Sequence, residues 1–137
     1  MFAVNRAARR FESLAGQVLA GDELGFLEGL VLAALFFEAP QAIKPSQLAE
    51  AFGTTRGNVS HCVSSLEGKG LLHRKIDPVD ARAFHLTLKP QGKKCAVRVI
   101  GALDKLQREF EREIGKAALG ETLNNLRKLE ALCGKRH

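Results

Sequence analysis

The hydrophobic period of this sequence is helical almost throughout, but one short segment alternates strictly between apolar and polar residues. Phe84, Leu86 and Leu88 alternate with His85 and Thr87, which is the pattern of a half-buried β-strand. The stretches "LLHRKID" and "RAFHLTL" flank the turn-forming residues "PVDA". We therefore predict a mainly α fold with a single small β-hairpin.

Helical spacing and helix-ending residues predict the remaining elements. Apolar residues recur from Val4 to Val18, and Gly21 ends that helix. Residues 24–37 are apolar on nearly every side, so both faces of this helix should be covered. Pro90 opens a long helix, and Gly120 lies near its junction with a last helix. The apolar stripes of the terminal helices exceed what one small lobe needs, which favours a dimer interface over self-packing.

Two short helices precede the hairpin. Pro45 opens the first, over residues 46–52, and Gly53 closes it. Thr55 is the predicted N-cap of the second, over residues 56–69. Two helices joined by a tight turn form a helix-turn-helix, and the hairpin after them adds a wing.

The second of these helices contains adjacent histidine and cysteine residues, His61 and Cys62. At about 100° per residue, Cys62 shares a face with Val59, Val63 and Leu66, whereas His61 points the opposite way. A Cys–His catalytic pair needs hydrogen-bond reach between the two side chains. We therefore assign Cys62 to the core and predict no enzymatic nucleophile here.

The net charge of +6 is concentrated in one central segment. Between Arg56 and Arg98 there are nine Lys or Arg residues against three acidic residues, a difference that equals the whole excess. This distribution indicates a polyanionic partner, although a solvated basic face would show the same charge. The polar, mostly uncharged outer face of the 56–69 helix suits hydrogen bonding to base edges or phosphates.

Size and cysteine content limit the class of protein further. The chain of 137 residues has the length of one domain. Its most apolar stretch is too short to span a bilayer, so we expect no membrane association. Three widely spaced cysteines without a CxxC motif fit a reducing compartment, and we expect a cytoplasmic protein. Without a phosphate loop, paired carboxylates or a metal cluster in the sequence, we predict no enzyme, no metal and no cofactor.

The stretch "PSQLAEAFGTTRGNVSHCVSSLEGKGLLHRKIDPVDARAFHLTLKPQG" resembles the MarR-type winged-helix transcriptional regulators. The resemblance implies a symmetric dimer that binds a pseudo-palindromic operator in double-stranded DNA, often with a small-molecule effector. It also implies a single domain over 1–137, with dimerisation helices at 1–22 and 91–137 and a winged-helix DNA-binding lobe at 24–89. One departure is Lys44–Pro45, where the family often has Thr-Pro.

The resemblance also assigns roles to individual residues. The 56–69 helix corresponds to the recognition helix, and an Asp-x-Arg motif in the wing places an arginine in the minor groove, where a narrow groove concentrates negative potential. In that motif Asp80 would orient Arg74 or Arg82. Because the chain contains no Trp or Tyr, an effector pocket would depend on Phe26, Phe36 or Phe37. The expected DNA-contacting residues are Thr55, Arg56, Asn58, Ser60, His61, Ser64, Arg74, Lys75, Asp80 and Arg82.

The function predicted from the sequence is a dimeric, sequence-specific transcriptional regulator. Repression is the expected mode of regulation, although the sequence itself does not distinguish a repressor from an activator. Two alternatives remain open: an effector-independent winged-helix protein of replication or DNA architecture, and a winged helix used for protein–protein assembly. The first predicts no response to any ligand, and the second predicts no duplex binding at moderate salt. A DNA-bound regulator would be associated with the nucleoid.

Overall fold

The computed structural model describes residues 1–81 and 83–135 of the chain. The helices and strands are α1 (Phe2–Leu19), a 3-10 turn (Ala20–Asp22), α2 (Phe26–Glu38), α3 (Pro45–Ala51), α4 (Arg56–Gly68), β1 (Leu72–Ile76), β2 (Phe84–Leu88), α5 (Pro90–Ile114) and α6 (Lys116–Gly134). The mainly helical fold with one hairpin is confirmed.

The chain forms two compact units, Met1–Ala102 and a second that begins at Leu103. The first unit contains a continuous apolar core, to which α1, α2, α3, α4, both strands and the start of α5 contribute. Its largest fully buried side chains are Leu19, Leu32, Leu48, Leu66, Leu72, Leu86, Val31, Val59, Val63 and Val99. Burying each of these side chains favours folding by about 1.5–3 kcal/mol.

The hairpin is antiparallel, and Leu72 pairs with Leu88 at its base while Ile76 pairs with Phe84 near its tip. The loop before α3 adds a bridge from Ile43 to Leu86, with Leu86 N donating to Ile43 O at 2.8 Å. The middle of β2 is therefore hydrogen-bonded to the segment that leads into the helix-turn-helix.

In the second unit the break between the last two helices lies at Gly115, and the predicted junction near Gly120 is wrong. Gly115 has φ of 94°, a left-handed conformation that only glycine adopts without strain. Gly120 lies inside α6, where a glycine weakens a helix by about 1 kcal/mol without ending it.

The expectation that α2 is covered on both faces is also wrong for its last turn. Gly29, Val31, Leu32 and Leu35 are buried, but Phe37 remains 69% exposed. Only one side of this turn faces the core of the unit. The apolar composition of α2 therefore overstates how much of the helix is covered within one chain.

Candidate nucleic-acid interface

Helix α4 begins at a side-chain cap. The backbone N–H of Asn58 donates to Thr55 Oγ1 at 3.1 Å, which satisfies one of the free donors of the first turn. The Asn58 side chain in turn donates to Thr54 Oγ1 at 3.0 Å. Thr55 is thus the N-cap that the sequence predicts, and its hydroxyl is engaged by the helix backbone.

The two faces of α4 separate as the sequence predicts. Val59, Cys62, Val63 and Leu66 are buried. The outer face is solvent-exposed over the length of the helix, and the exposed predicted contacts are Arg56, Asn58, Ser60, His61 and Ser64. Side chains of this kind can reach the edges of base pairs if the helix enters a major groove.

Cys62 is an inert core thiol. Burial, together with the negative charge of Glu28, raises the pKa of Cys62 to about 12. The thiolate, which is the reactive form of cysteine, is then almost absent at neutral pH. The assignment of Cys62 to the core, away from the exposed His61, is confirmed.

The position of α4 relative to α2 depends on a carboxylate that the sequence analysis missed. Glu28 caps α2 by accepting from Gly25 N at 2.8 Å. It also accepts from Ser65 Oγ at 2.6 Å and from Lys69 Nζ at 3.1 Å, and Lys69 donates further to Glu23 O at 2.6 Å. A glutamate three residues into a helix signals a capping box, but no sequence pattern shows that it also bonds to the distant Ser65.

These bonds hold Glu28 in its ionised form. Burial raises its pKa, but the hydrogen bonds from Ser65, Gly25 and Lys69 and the charge of Lys69 outweigh burial, so the pKa lies below its ordinary value. A charge-assisted network of this kind orients α4 from its inner side. The outer face of the helix takes no part in the network apart from Lys69 at its end.

Arg74 of β1 connects the wing with α4. Its guanidinium donates to Ser64 Oγ, lies 3.6 Å from Glu67 Oε1 and stacks 5.9 Å from the centre of the Phe84 ring. Two predicted DNA contacts, Arg74 and Ser64, are therefore bonded to each other. Their contact with DNA stays a prediction.

The hairpin turn is organised by Asp77, a second carboxylate that the sequence analysis did not single out. Its side chain is only 7% exposed. The backbone N–H groups of Val79 and Asp80, followed by Lys44 and His85, lower the pKa of Asp77 to about 2 despite its burial. Asp80 is exposed and lies in the same turn. Of its two predicted partners, Arg74 bonds to Ser64, and Arg82 lies outside the described residues.

Several basic side chains around this surface remain available for an external anion. Lys75 and Arg56 are exposed, and within the described part of the chain neither forms an ion pair. Near the start of α5, Lys93 and Lys94 are exposed and Lys89 is half-buried, and these three also form no ion pair within the described residues. Arg98, by contrast, is paired with Asp22 at 2.9 Å. The positive charge that the sequence places in this segment is thus only partly neutralised internally.

The three phenylalanines predicted to line an effector pocket are not brought together. Phe26 lines an open cleft of about 500 Å³ between the start of α2 and α4, along with Glu28, Asn58, His61 and Ser65. Phe36 and Phe37 contact each other edge-to-face, 6.0 Å apart, and do not line this cleft. A pocket built from all three rings has no support in this geometry.

Helix α3, the turn after it, α4 and the antiparallel hairpin together define a winged helix-turn-helix. Residues 38–84, which cover this arrangement as far as the start of β2, match the sequence model described as the MarR family. The match covers the same segment whose sequence resembles the MarR-type regulators.

One curated relative is similar over a longer stretch. It is described as a putative transcriptional regulatory protein for the hcr operon of Thauera aromatica, and it is 29% identical over 87 residues, or 64% of this chain. The chain spans about half, 52%, of the length of that relative.

Solved structures share the fold across nearly the whole chain. The S. aureus MepR–DNA complex has a TM-score of 0.86 at 20% identity and covers 95% of both chains. The transcriptional regulator BldR from Sulfolobus solfataricus has a TM-score of 0.84 at 23% identity, covering 96% of this chain and 91% of its own. A mutant MarR from E. coli complexed with operator DNA has a TM-score of 0.81 at 17% identity, covering 93% and 90%. At these identities the likeness concerns the fold.

Among the helices that the structure describes, none has the length and apolar character needed to cross a membrane.

Proposed function

We propose that this protein is a sequence-specific DNA-binding transcriptional regulator. The observation that carries the proposal is the outer face of α4, which is exposed, polar and free of bulky apolar side chains. Exposed basic residues at its start and on the adjacent strand, Arg56 and Lys75, flank this face. Phosphate contacts from such residues give affinity, and the polar helix face reads base edges.

The regulator acts as a homodimer in this proposal. Helix α1 leaves Phe2, Val4, Phe11, Leu14 and Val18 between 37% and 83% exposed. Helix α6 leaves Leu123, Leu126, Leu129 and Leu132 at least 40% exposed. Both stripes recur at helical spacing, which is what a partner helix covers. Two copies related by a two-fold axis would present two copies of α4 to a pseudo-palindromic operator.

The proposal also includes repression as the mode of regulation and a small-molecule effector. A dimer that occupies an operator acts as a repressor when it blocks transcription, and a small molecule that disfavours the DNA-bound form would release it. The cleft lined by Phe26 is the proposed effector site, because it also contains Asn58 and His61 of α4. The proposed location is the cytoplasm, with nucleoid association when the protein is bound to DNA.

This function uses binding alone, and the proposal includes no catalytic step. Family and fold are those of DNA-binding transcription regulators. The predicted single-domain organisation, with the winged lobe at 24–89 between dimerisation helices, also stays part of the proposal.

Selection of duplexes from random DNA, at two salt concentrations, tests the proposed function. The wild-type chain should enrich a palindrome, and its affinity should fall steeply with salt, with a log–log slope of about −0.9 for each phosphate contacted. His61→Ala should lose preference at a base position in the palindrome, whereas Arg56→Ala and Lys75→Ala should weaken all sequences alike. In the wing, Arg82→Ala should weaken operator binding at least tenfold, which corresponds to about 1.4 kcal/mol or more, without unfolding the dimer.

The same experiment separates the alternatives. Salt-sensitive binding without an enriched motif would reassign the protein to the architectural or replication class. Absence of duplex binding at moderate salt would favour protein–protein assembly. An unchanged affinity of Arg82→Ala would contradict the role proposed for the wing arginine.

A further inference from the structure

In the described part of the wing, one carboxylate has four polar partners. Asp77 Oδ1 accepts from Val79 N at 2.8 Å and from Asp80 N at 3.2 Å. Its other oxygen, Oδ2, lies 2.8 Å from His85 Nε2 and 3.3 Å from Lys44 Nζ. One oxygen therefore shapes the turn at the tip of the hairpin, while the other meets side chains from β2 and from the residue that precedes α3.

The backbone explains why these groups meet. The bridge between Ile43 and Leu86 sets Lys44 and His85 at neighbouring positions on adjacent segments. Lys44 is also the N-cap residue of α3, the first helix of the helix-turn-helix. The ion pair of Lys44 with Asp77 thus joins the turn of the wing to α3 by a route that does not pass through α4.

Asp77 is far more buried than its partners Lys44 and His85, which indicates that the carboxylate serves to hold other parts of the protein in place. Asp77 is 7% exposed, whereas His85 and Lys44 are 30% and 43% exposed. A buried carboxylate with its hydrogen-bonding capacity filled holds its partners in place more firmly than an exposed one. Lys44 and His85 are thereby directed toward Asp77, and they cover the negative charge of its carboxylate.

We propose that Lys44, Asp77 and His85 form a wing anchor, a set of positioning residues that holds the hairpin turn at a defined place relative to α3 and so determines how well the wing reads DNA. The role in DNA reading rests on the proposed function, whereas the anchor itself is a property of the free protein. Lys44 contributes through Asp77 and makes no essential phosphate contact of its own.

Amide hydrogen exchange in the absence of DNA tests the anchor directly. Lys44→Met keeps a long side chain but removes the charge that faces Asp77. Exchange at the Val79 and Asp80 amides should accelerate roughly tenfold, the factor that corresponds to losing one charge-assisted hydrogen bond. Lys44→Arg should restore slow exchange. Lys75→Met is the matched control, because Lys75 is directly opposite His85 in the hairpin and forms no ion pair within the described part of the chain.

DNA binding by the same variants tests the consequence. Lys44→Met should bind the selected duplex about tenfold more weakly and lose preference at the same positions as Arg82→Ala, with an unchanged salt slope. Lys75→Met should instead reduce the magnitude of the salt slope by about one, as expected when a phosphate contact is removed. His85→Leu should behave like Lys44→Met in both measurements.

Each contrary result has a separate meaning. Unchanged exchange at Val79 and Asp80 in Lys44→Met would overturn the anchor, whatever the DNA result. A shallower salt slope in Lys44→Met would show that Lys44 contacts phosphate and would overturn its positioning role. Accelerated exchange with full operator affinity would overturn the link to DNA reading. Absence of duplex binding by the wild type would refute that link together with the proposed function, while the exchange data would still decide whether the anchor exists.

Discussion

Replacement of Gly92 by alanine tests the close contact between the start of α5 and the backbone of Leu71, which precedes the wing. A Cβ at Gly92 would lie 1.8 Å from the carbonyl oxygen of Leu71 and 2.8 Å from its carbonyl carbon. The same oxygen accepts from Lys89 N at 2.9 Å. Leu71 immediately precedes β1, so the added methyl group must push α5 away from the base of the wing.

The expected cost follows from these distances. Ordinary contacts of this kind are longer by more than about 1 Å, and both partners are backbone atoms that cannot rotate away. Forced overpacking costs about 1–3 kcal/mol and sometimes more, and the severity of this overlap places Gly92→Ala at the upper end. The gain of about 0.5–1 kcal/mol from replacing a helical glycine by alanine offsets only part of the cost. We expect a net loss of about 2 kcal/mol or more in the free energy of unfolding.

Urea denaturation measures this loss, at one protein concentration because dimerisation would add to the apparent stability. Gly101→Ala is the matched control on the same helix: Gly101 is exposed, and a Cβ there would meet nothing within 4 Å. Gly101→Ala should stabilise the protein by about 0.5–1 kcal/mol. If both variants were equally stabilised, the close approach of Gly92 to Leu71 would be refuted.

Three further predictions concern titratable groups. The pKa of Asp77 is about 2, below its ordinary value of 3.8, so its ionised form stabilises the fold above pH 4, and this contribution disappears as the pH falls through 2. The free energies of unfolding of wild type and Asp77→Asn, measured in urea, should therefore differ most near neutral pH and converge in strong acid. A difference that does not change with pH would contradict the ionised state assigned to Asp77. Glu28→Gln should lower the free energy of unfolding by about 1–2 kcal/mol, since it weakens the charge-assisted bonds from Ser65 and Lys69, whereas Glu12→Gln on the exposed part of α1 should have no measurable effect. Iodoacetamide at neutral pH should modify the exposed Cys133 and leave the buried Cys62 intact until the protein unfolds. Mass spectrometry of the labelled protein identifies which cysteines are modified, and rapid alkylation of Cys62 in the native protein would disprove its burial.

Local sequence signals were sufficient for much of this fold. The local signals are the N-cap Thr55, the proline at the first position of α3, and the alternation of β2. The helical stripe of α4 is another, formed by Val59, Cys62, Val63 and Leu66. Helix and strand periods and helix caps depend on residues close in the chain, so they can be read without tertiary contacts. The same helical period separates His61 from Cys62, and the polar outer face of α4 follows from it.

Tertiary structure decided the contacts between residues that are far apart in sequence. Glu28 meets Ser65 across 37 positions, and Lys44 meets Asp77 because a β-bridge from Ile43 to Leu86 brings their segments together. The sequence also does not decide whether the helix breaks at Gly115 or at Gly120, since either glycine permits a turn. In the structure Gly115 has the positive φ and forms the break. Sequence periodicity reports which face of an element is buried, whereas the partner of a buried polar group depends on how the elements pack. For that reason the outer face of α4 was predictable from the sequence, and the carboxylates that position α4 and the wing were not.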